Sequence, residues 1–282
     1  MKKTIFDLQQ MKAAGRPITM ITAYDYPTAK LVEQAGVDTI LVGDSLGMVV
    51  LGYESTVPVT MADMLHHTKP VRRGAPQTFV IADLPYLSYA TPDLALENAG
   101  RLIQEGGADA VKLEGGQNYA ERVQILTEAG VPVVGHIGLT PQTAAQLGGF
   151  KVQGRDLAGS LRLLDDARSL QEAGAILIVL EAIPSPLAAL ITASLSVPTI
   201  GIGAGSSCDG QVLVLHDLLG LFRRFVPKFV KQYASLNTEI ITAVQTYCHD
   251  VQNRTFPTEN HSFGMDPSVL EAILKHQPEF IT

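Results

Sequence analysis

The stretch ILIVLEA, residues 176–182, is an unbroken apolar run that ends in a glutamate, and the chain repeats this arrangement. Four further runs have the same form: ILVGDS (40–45), FVIADLP (79–85), AVKLEG (110–115) and VPVVGHIG (131–138). Continuous Val, Ile and Leu runs of this length are typical of strands that are buried on both faces, as in parallel sheets. These runs therefore predict an α/β fold with a parallel sheet.

Each of the five runs has a carboxylate or a histidine at or near its carboxyl end. In order along the chain, these residues are Asp44, Asp83, Glu114, His136 and Glu181. A buried strand tolerates a charge only where its end meets solvent or a ligand. The carboxyl ends of parallel strands lie on one side of the sheet, and α/β proteins bind ligands there. The sequence thus predicts one site with four carboxylates and a histidine.

A helix end, a glycine and a strand recur in this order along the chain. The segment QEAGAILIVLEA from residue 171 is one copy, and similar segments begin at residues 33, 104 and 127. Glycine ends helices because it adopts the left-handed conformation readily. Strands at 19–25, 198–205 and 211–220 bring the total to eight. Eight such units predict a closed (β/α)8 TIM barrel, with a doubly wound sheet as the runner-up.

The helices predicted between the strands span residues 27–34, 61–71, 92–105, 119–129, 161–173 and 187–195, with Thr60, Thr91 and Asn118 as N-caps. A short helix at 5–14 is expected to cap one end of the barrel. Residues 227–282 are predicted to form a C-terminal helical extension on the barrel or at a subunit interface, within one domain of residues 1–282. The fifth βα connection, residues 138–160, is long and glycine-rich, which makes it a candidate lid.

Composition narrows the possible partners and the cellular compartment. The chain has 282 residues, a formal net charge of −7 and no basic stripe, which argues against a nucleic-acid partner. Cys208 and Cys248 lack metal-ligand spacing, so a reduced, cytoplasmic location is the simplest interpretation. No stretch approaches the ~18 apolar residues of a membrane span, so no membrane association is expected.

Three of the strand-end acids, Asp44, Asp83 and Glu114, suggest a metal site. Their oxygens are hard ligands of the kind that Mg²⁺ prefers, and Mg²⁺ takes the rest of its ligands from water and substrate. A salt-bridge network with Lys or Arg is the alternative for these acids. Lys112 lies on the same strand face as Glu114, so it either contacts the same ligand or pairs with Glu114 alone.

The remaining candidates point to proton transfer on a small acid. His136 lies between two glycines that let a ligand approach, although a structural core histidine is the alternative. Glu181 follows an apolar strand and is a candidate base, or else a solvated strand-end acid. Ser45 either binds a carboxylate or forms a turn. A Mg²⁺ ion that chelates a 2-oxo acid would stabilise its enolate, so the residues together predict metal-assisted enolate chemistry.

Many ordered segments of this chain resemble the ketopantoate hydroxymethyltransferase family. The matching segments are TAYDYPTAKL, VGDSLGMVVLGYESTVPVTMADMLHHTKPVRRGAP, ADLPYLSYATP, VKLEGG, GHIGLTPQ, GGFKVQGR, LEAIP, IGIGAG, DGQVLVLHD, PKFVKQYA and HSFGM. The resemblance implies transfer of a one-carbon unit from 5,10-methylenetetrahydrofolate to 3-methyl-2-oxobutanoate, giving 2-dehydropantoate for pantothenate synthesis. It also implies a barrel of the phosphoenolpyruvate/pyruvate-binding type.

The resemblance further implies roles for the strand-end residues. Mg²⁺ would be bound by Asp44, Asp83 and Glu114, and Glu181 would be the catalytic base. The oxo acid would be held by two of the metal ligands and by three further residues: Asp44, Ser45, Asp83, Lys112 and His136. Family members form homo-oligomers, often decamers built as pentamers of dimers.

Two other readings remain open at this stage. A carbon–carbon lyase or mutase of the isocitrate lyase and phosphoenolpyruvate mutase superfamily would share the Mg²⁺ and oxo-acid platform. It should carry a mobile cysteine loop such as KKCGH, which this sequence lacks. A non-catalytic barrel that binds metabolites would need only some of the acids.

Overall fold

The structure is a computed structural model that describes residues 2–277. Its eight strands form a closed barrel in which every strand is parallel to its neighbours and follows chain order. The strands are β1 (Ile18–Thr22), β2 (Thr39–Val42), β3 (Phe79–Asp83), β4 (Ala110–Glu114), β5 (Val133–Gly138), β6 (Leu177–Glu181), β7 (Thr199–Ile202) and β8 (Gly210–Leu213). Strand β8 pairs with β1, so the predicted barrel is confirmed and the doubly wound sheet is wrong.

Helices precede the first strand, connect most of the strands and follow the last one. They are α1 (Ile5–Ala13), α2 (Tyr26–Gln34), α3 (Leu46–Val49), α4 (Met61–Gly74), α5 (Pro92–Gln104), α6 (Ala120–Glu128), α7 (Leu157–Glu172), α8 (Ser185–Ser194), α9 (Leu215–Leu218), α10 (Leu236–Gln252) and α11 (Pro267–His276). The hydroxyls of Thr60 and Thr91 accept N-capping hydrogen bonds as predicted. Among residues 2–277, no helix is long and apolar enough to cross a membrane.

Several boundaries differ from the sequence-based predictions: β1 and β7 each end three residues early, and α4 extends three residues farther. Strand β8 ends at Leu213 and LHDL (215–218) is helical, because the Leu215 N–H donates to the Thr22 hydroxyl instead of continuing the ladder. Helix α7 begins at Leu157, four residues earlier than predicted, because the Asp156 carboxylate accepts a capping hydrogen bond from the Gly159 N–H. Asn118 is not an N-cap, since it lies inside a 3-10 helix, Gln117–Tyr119.

Alternation along the strands separates two apolar layers. Side chains at every second position fill the barrel interior, and those between them pack under the helices. Leu8 and Met11 of α1 belong to the interior layer, together with Ile18 of β1. Helix α1 therefore closes one end of the barrel, as predicted. This closure leaves the opposite end, where the strands finish, as the open mouth.

The chain forms two compact units, one that ends at Ala234 and one that begins at Ser235. The second unit contains α10 and α11. Within it, the Phe256 ring contacts Tyr247 at a centroid distance of 5.8 Å and His261 at 5.0 Å. The single domain predicted for residues 1–282 stays a prediction.

The closeness of β8 to β1 gives a test of the barrel. A Cβ at Gly210 would meet the Ile18 carbonyl oxygen at 2.4 Å and Ile200 Cδ1 at 2.5 Å. We expect Gly210→Ala to force the strands apart and to lower the free energy of unfolding by about 1–3 kcal/mol, measured by urea denaturation. The matched control is Gly100→Ala inside α5, where nothing lies within 4 Å of the added Cβ. That variant should be more stable than wild type by about 0.5–1 kcal/mol, and equal effects of the two substitutions would contradict this packing.

Candidate active site

Strand alternation and register bring four of the predicted residues to the inside of the barrel mouth. Asp83 on β3 pairs in register with Lys112 on β4, and Glu114 on β4 pairs with His136 on β5. All four are at most 4% exposed. Because the side chains of a strand alternate between faces, Lys112 and Glu114 point the same way, two residues apart. The predicted convergence of these residues is therefore observed.

Lys112 lies between several of the acids. Its Nζ atom is 3.2 Å from Asp83 Oδ1 and 4.0 Å from Glu114 Oε1. The same atom is 3.3 Å from His136 Nδ1. The lysine thus does not pair with Glu114 alone, and its ammonium group is the positive centre of the site.

His136 lies between two carboxylates from different strands. Its Nδ1 atom is 3.3 Å from Glu114 Oε1, and its Nε2 atom is 3.2 Å from Glu181 Oε2. The Glu181 side chain is 14% exposed, whereas those of Lys112, Glu114 and His136 are 2–4% exposed. The next residue, Ala182, has φ +47°, a region that residues other than glycine adopt infrequently. Glu181 is therefore the most accessible carboxylate of this row, at a sharp bend of the chain.

Asp44 and Ser45 reach the site from the end of β2. The Asp44 N–H donates to Asp83 Oδ2 at 3.0 Å, which joins the ends of β2 and β3. The Ser45 hydroxyl lies 2.8 Å from the Tyr24 hydroxyl. A Cβ at Gly43 would lie only 2.8 Å from Ser45 Oγ, so this glycine lets the serine side chain fold back toward the site.

Burial and mutual repulsion act on the aspartates. Burial raises the pKa of Asp44 well above its usual range, and the carboxylates of Glu114 and Asp83 raise it further. The Lys112 ammonium and a hydrogen bond from Gln142 oppose this rise. Burial also raises the pKa of Asp83, although the Lys112 ammonium group acts to lower it. A positive ligand beside these two aspartates would replace the proton that burial favours.

Pairing keeps the deeper groups charged. Burial acts to raise the pKa of Glu114, but His136 and Lys112 outweigh it, and the net shift is downward. Burial and Lys112 lower the pKa of His136, yet Glu114 and Glu181 raise it to about 9. Burial likewise opposes the charge on Lys112, while Asp83 and Glu114 raise its pKa. At neutral pH the site therefore holds two positive charges beside its carboxylates.

Whether these residues can bind a metal ion depends on how many protein ligands that ion requires. Within residues 2–277, no group of three or more His, Cys, Asp and Glu side chains forms a complete set of metal ligands. Mg²⁺ does not require one, since it commonly uses one or two carboxylates and keeps several waters. Asp83 Oδ1 is buried, makes no well-formed hydrogen bond among the described residues, and has the Lys112 ammonium group 3.2 Å away as its charged partner. The oxygen donors present are of the type that Mg²⁺ accepts.

Two residues of the site were not predicted from the sequence. Gln142, 4% exposed, donates a hydrogen bond from Nε2 to Asp44 Oδ2 at 2.8 Å. Tyr89 donates its hydroxyl proton to Gln142 Oε1 at 2.5 Å. Gln142 lies in the fifth connection and ends the family-matching segment GHIGLTPQ, and Tyr89 lies in the matching segment ADLPYLSYATP. These matches and the length of the connection pointed to the region, but they gave neither residue a role.

The residues after β8 form a second polar group at the mouth. The His216 and Tyr24 rings lie 5.5 Å apart. Asp217 is 8% exposed, and its Oδ1 has no hydrogen-bond partner among the described residues. Burial raises the pKa of Asp217 to about 6. An uncompensated buried carboxylate of this kind destabilises the fold when it is ionised.

Comparison with solved structures defines the class of fold. Phosphonopyruvate hydrolase superposes with a TM-score of 0.62 at 13% identity, covering 100% of this chain and 98% of that one. 2,3-Dimethylmalate lyase, a member of the PEP mutase/isocitrate lyase superfamily, gives a TM-score of 0.59 at 16% identity, with 99% and 97% covered. The chain therefore shares the (β/α)8 barrel fold of these two proteins, as expected from the sequence.

Sequence comparison identifies the family within that class. The profile of the ketopantoate hydroxymethyltransferase family matches residues 2–259. The 3-methyl-2-oxobutanoate hydroxymethyltransferase of Moorella thermoacetica is 61% identical over 262 residues, which are 92% of this chain and 97% of that protein. The protein of the same name from Carboxydothermus hydrogenoformans is 58% identical over 271 residues, or 96% and 98%. The chain belongs to the ketopantoate hydroxymethyltransferase family.

The buried Asp217 predicts a pH-dependent effect on stability. The folded-state pKa of Asp217 is about 6, and its ordinary value is 3.8. The free energy of unfolding of the wild type therefore falls as pH rises from about 4 through 6, because the buried carboxyl group becomes ionised. Asparagine does not titrate, so Asp217→Asn should be more stable than wild type at pH 8, by on the order of 1–2 kcal/mol. The gain should vanish at pH 4. Thermal unfolding at both pH values measures it, with exposed Glu97→Gln as the control. A gain of equal size at pH 4 would refute the electrostatic explanation.

Proposed function

We propose that this protein transfers a one-carbon unit from 5,10-methylenetetrahydrofolate to 3-methyl-2-oxobutanoate, forming 2-dehydropantoate through an enolate. Membership of the family and the names of its close relatives support the reaction. The observation that carries the mechanism is the row of alternating charges from Glu181 through His136 and Glu114 to Lys112. This row places a base and two cations around one end of a small acid.

A Mg²⁺ ion would be held by Asp44, Asp83 and Glu114, the three acids at the ends of β2, β3 and β4. Four carboxylates surround two cationic side chains, so the site has a formal charge of −2 when all groups are ionised. A divalent cation balances that charge and would join Lys112 as a positive partner of the buried Asp83 carboxylate. When bound, the ion would supply Lewis-acid stabilisation of the developing enolate oxygen.

The cationic side chains orient the oxo acid. Lys112 offers a buried ammonium group, and Ser45 offers a hydroxyl whose direction the Tyr24 hydroxyl restrains. His136, with a pKa of about 9, is protonated at neutral pH and forms ion pairs with Glu114 and Glu181, so it contributes positive charge beside the oxo acid. Asp44 and Asp83 border the same space through their shared hydrogen bond. Lys112 and Ser45 donate hydrogen bonds to the carboxylate and keto oxygens of the substrate and hold them in a fixed direction.

Glu181 is the base. It removes the proton from C3 of the oxo acid, and the electron pair of that C–H bond moves into the enolate. The enolate carbon then forms the new carbon–carbon bond with the one-carbon unit, whose bonds to the folate nitrogens break; water supplies the hydroxyl oxygen, and tetrahydrofolate is released. His136, 3.2 Å from Glu181 Oε2, holds this carboxylate in place. The exposure of Glu181, greater than that of the row behind it, agrees with direct contact with substrate.

Neither alternative function, a carbon–carbon lyase or mutase or a non-catalytic metabolite-binding barrel, gains support. Neither cysteine belongs to the row of site residues: Cys208 follows β7 and lies near Thr192 and Thr199, and Cys248 lies in α10 of the second unit. A lyase that relies on a cysteine loop therefore finds no counterpart at the site. We also propose a cytoplasmic location, as the cysteine usage suggests, and a homo-oligomeric assembly, as the family resemblance implies.

Proton exchange at C3 of 3-methyl-2-oxobutanoate in D₂O tests the proposal without the folate. With Mg²⁺ present, the wild-type protein should exchange this proton, as followed by NMR, and a chelator should stop the exchange. Glu181→Gln removes the base but keeps the shape of the side chain, so the exchange rate should fall by about 10²–10⁴-fold. If folate is needed to complete the site, tetrahydrofolate should restore exchange in the wild type.

The matched control is Glu172→Gln. Glu172 ends α7, before β6, and is exposed at the other end of that strand from Glu181. It should leave the exchange rate unchanged. Exchange by Glu181→Gln at the wild-type rate would remove the role of Glu181. Absence of exchange in the wild type, even with Mg²⁺ and tetrahydrofolate, would refute the proposed function.

A further inference from the structure

Gln142 makes contacts with all three strand ends that carry the candidate metal ligands. Its Nε2 atom donates to Asp44 Oδ2 at 2.8 Å and to the Leu84 carbonyl at 3.0 Å, and Leu84 directly follows Asp83. Its backbone N–H donates to Glu114 Oε2 at 3.0 Å. One residue of the fifth connection thus joins the ends of β2, β3 and β4.

Tyr89 fixes the orientation of the Gln142 amide. The tyrosine hydroxyl accepts from the Glu114 N–H at 3.3 Å and donates to Gln142 Oε1 at 2.5 Å. Because Oε1 is occupied by this donor, both protons of Nε2 are directed to Asp44 and Leu84. An amide has two donors and an acceptor oxygen, and all of these functions are used here. A flipped amide would direct its oxygen at a carboxylate and lose the three hydrogen bonds together.

We propose that Gln142 is a positioning residue of the cation site. It holds Asp44 Oδ2 by a hydrogen bond and so leaves Asp44 Oδ1 for the ion, and it fixes the Glu114 carboxylate through Oε2 while Oε1 pairs with His136. This inference rests on the cation site of the proposed function and adds a residue outside the ligand set. Hydrogen bonds to ligating carboxylates fix their direction and raise metal affinity, and losing them typically costs about 10–100-fold.

The same contacts anchor the fifth connection. Gln142 is the middle residue of a 3-10 helix, Pro141–Thr143. The Thr140 and Thr143 hydroxyls lie 2.6 Å apart and close this turn. Gln142 is buried, whereas Ala145 and Gln146 just beyond it are exposed. The connection is therefore held at its root by groups that also face the cation. Gln142 links the geometry of the ligands to that of the loop above them.

Mn²⁺ is the probe for the affinity of the site, because it takes oxygen ligands of the same kind as Mg²⁺ and its EPR signal reports the free ion. In the full-length protein, Gln142→Ala should weaken Mn²⁺ binding by about 10–100-fold. Tyr89→Phe removes the hydroxyl that donates to Gln142 Oε1 and accepts from the Glu114 N–H, so it should weaken binding by about three- to tenfold. Gln146→Ala, an exposed glutamine of the same connection, is the matched control and should bind as wild type does.

Thermal unfolding without metal separates positioning from general damage. A positioning role predicts that Tyr89→Phe stays folded and loses Mn²⁺ affinity, even if Gln142→Ala proves too unstable to measure. Unchanged or tighter Mn²⁺ binding by a folded Gln142→Ala, or by Tyr89→Phe, would overturn this inference alone. Asp83→Asn locates the signal: if it binds Mn²⁺ as wild type does, or if wild type binds none, both the cation site and the role of Gln142 are refuted.

Discussion

The buried ammonium group of Lys112 is the interaction on which the site depends. Transfer of a carboxylate from water to a protein interior costs several kcal/mol unless a partner compensates for it. Asp83, Glu114 and His136 all lie within 4.0 Å of the lysine Nζ atom, at 4% exposure or less. Without this positive charge, the two carboxylates would be driven toward their neutral forms. Together with His136, it keeps Glu114 ionised, and Glu114 and Glu181 keep His136 protonated although the neighbouring Lys112 charge opposes this.

The row exists because a parallel barrel puts every second side chain inside. Phe79, Ile81 and Asp83 share the inner face of β3, and the apolar members of that series fill the barrel below the acid. The register then places Asp83 beside Lys112 and Glu114 beside His136. A shift of one residue in either pairing would direct these charges under the helices. The apolar interior and the polar mouth are thus parts of one pattern, and the core determines where the charges can lie.

Much of this arrangement could be predicted from the sequence. The apolar runs ending in Asp83, Glu114 and Glu181 locate the strands and their open ends, because strand burial and strand-end polarity depend on local residue order. The strand predicted through Gly220 was wrong beyond Leu213, since the turn there depends on the distant Thr22 hydroxyl. Gln142 was missed for the same physical reason. Its partners lie 28 to 98 residues away in the chain, and nothing in its immediate sequence records them.

The hydrogen bonds of Gln142 also explain how an acidic site stays ordered without a complete cage of ligands. Asp44 carries a pKa raised by burial and by two neighbouring carboxylates, so it has little intrinsic tendency to remain ionised. Its stabilising partners are the Lys112 charge and the amide of Gln142, which lies on a loop and not on a strand. The barrel therefore supplies fixed backbone positions, while the fifth connection supplies the donor that selects one carboxylate orientation. A loop that completes the polar environment of its own site can change that environment only by leaving the four buried hydrogen bonds of Gln142 unmade. This cost keeps the root of the connection in place.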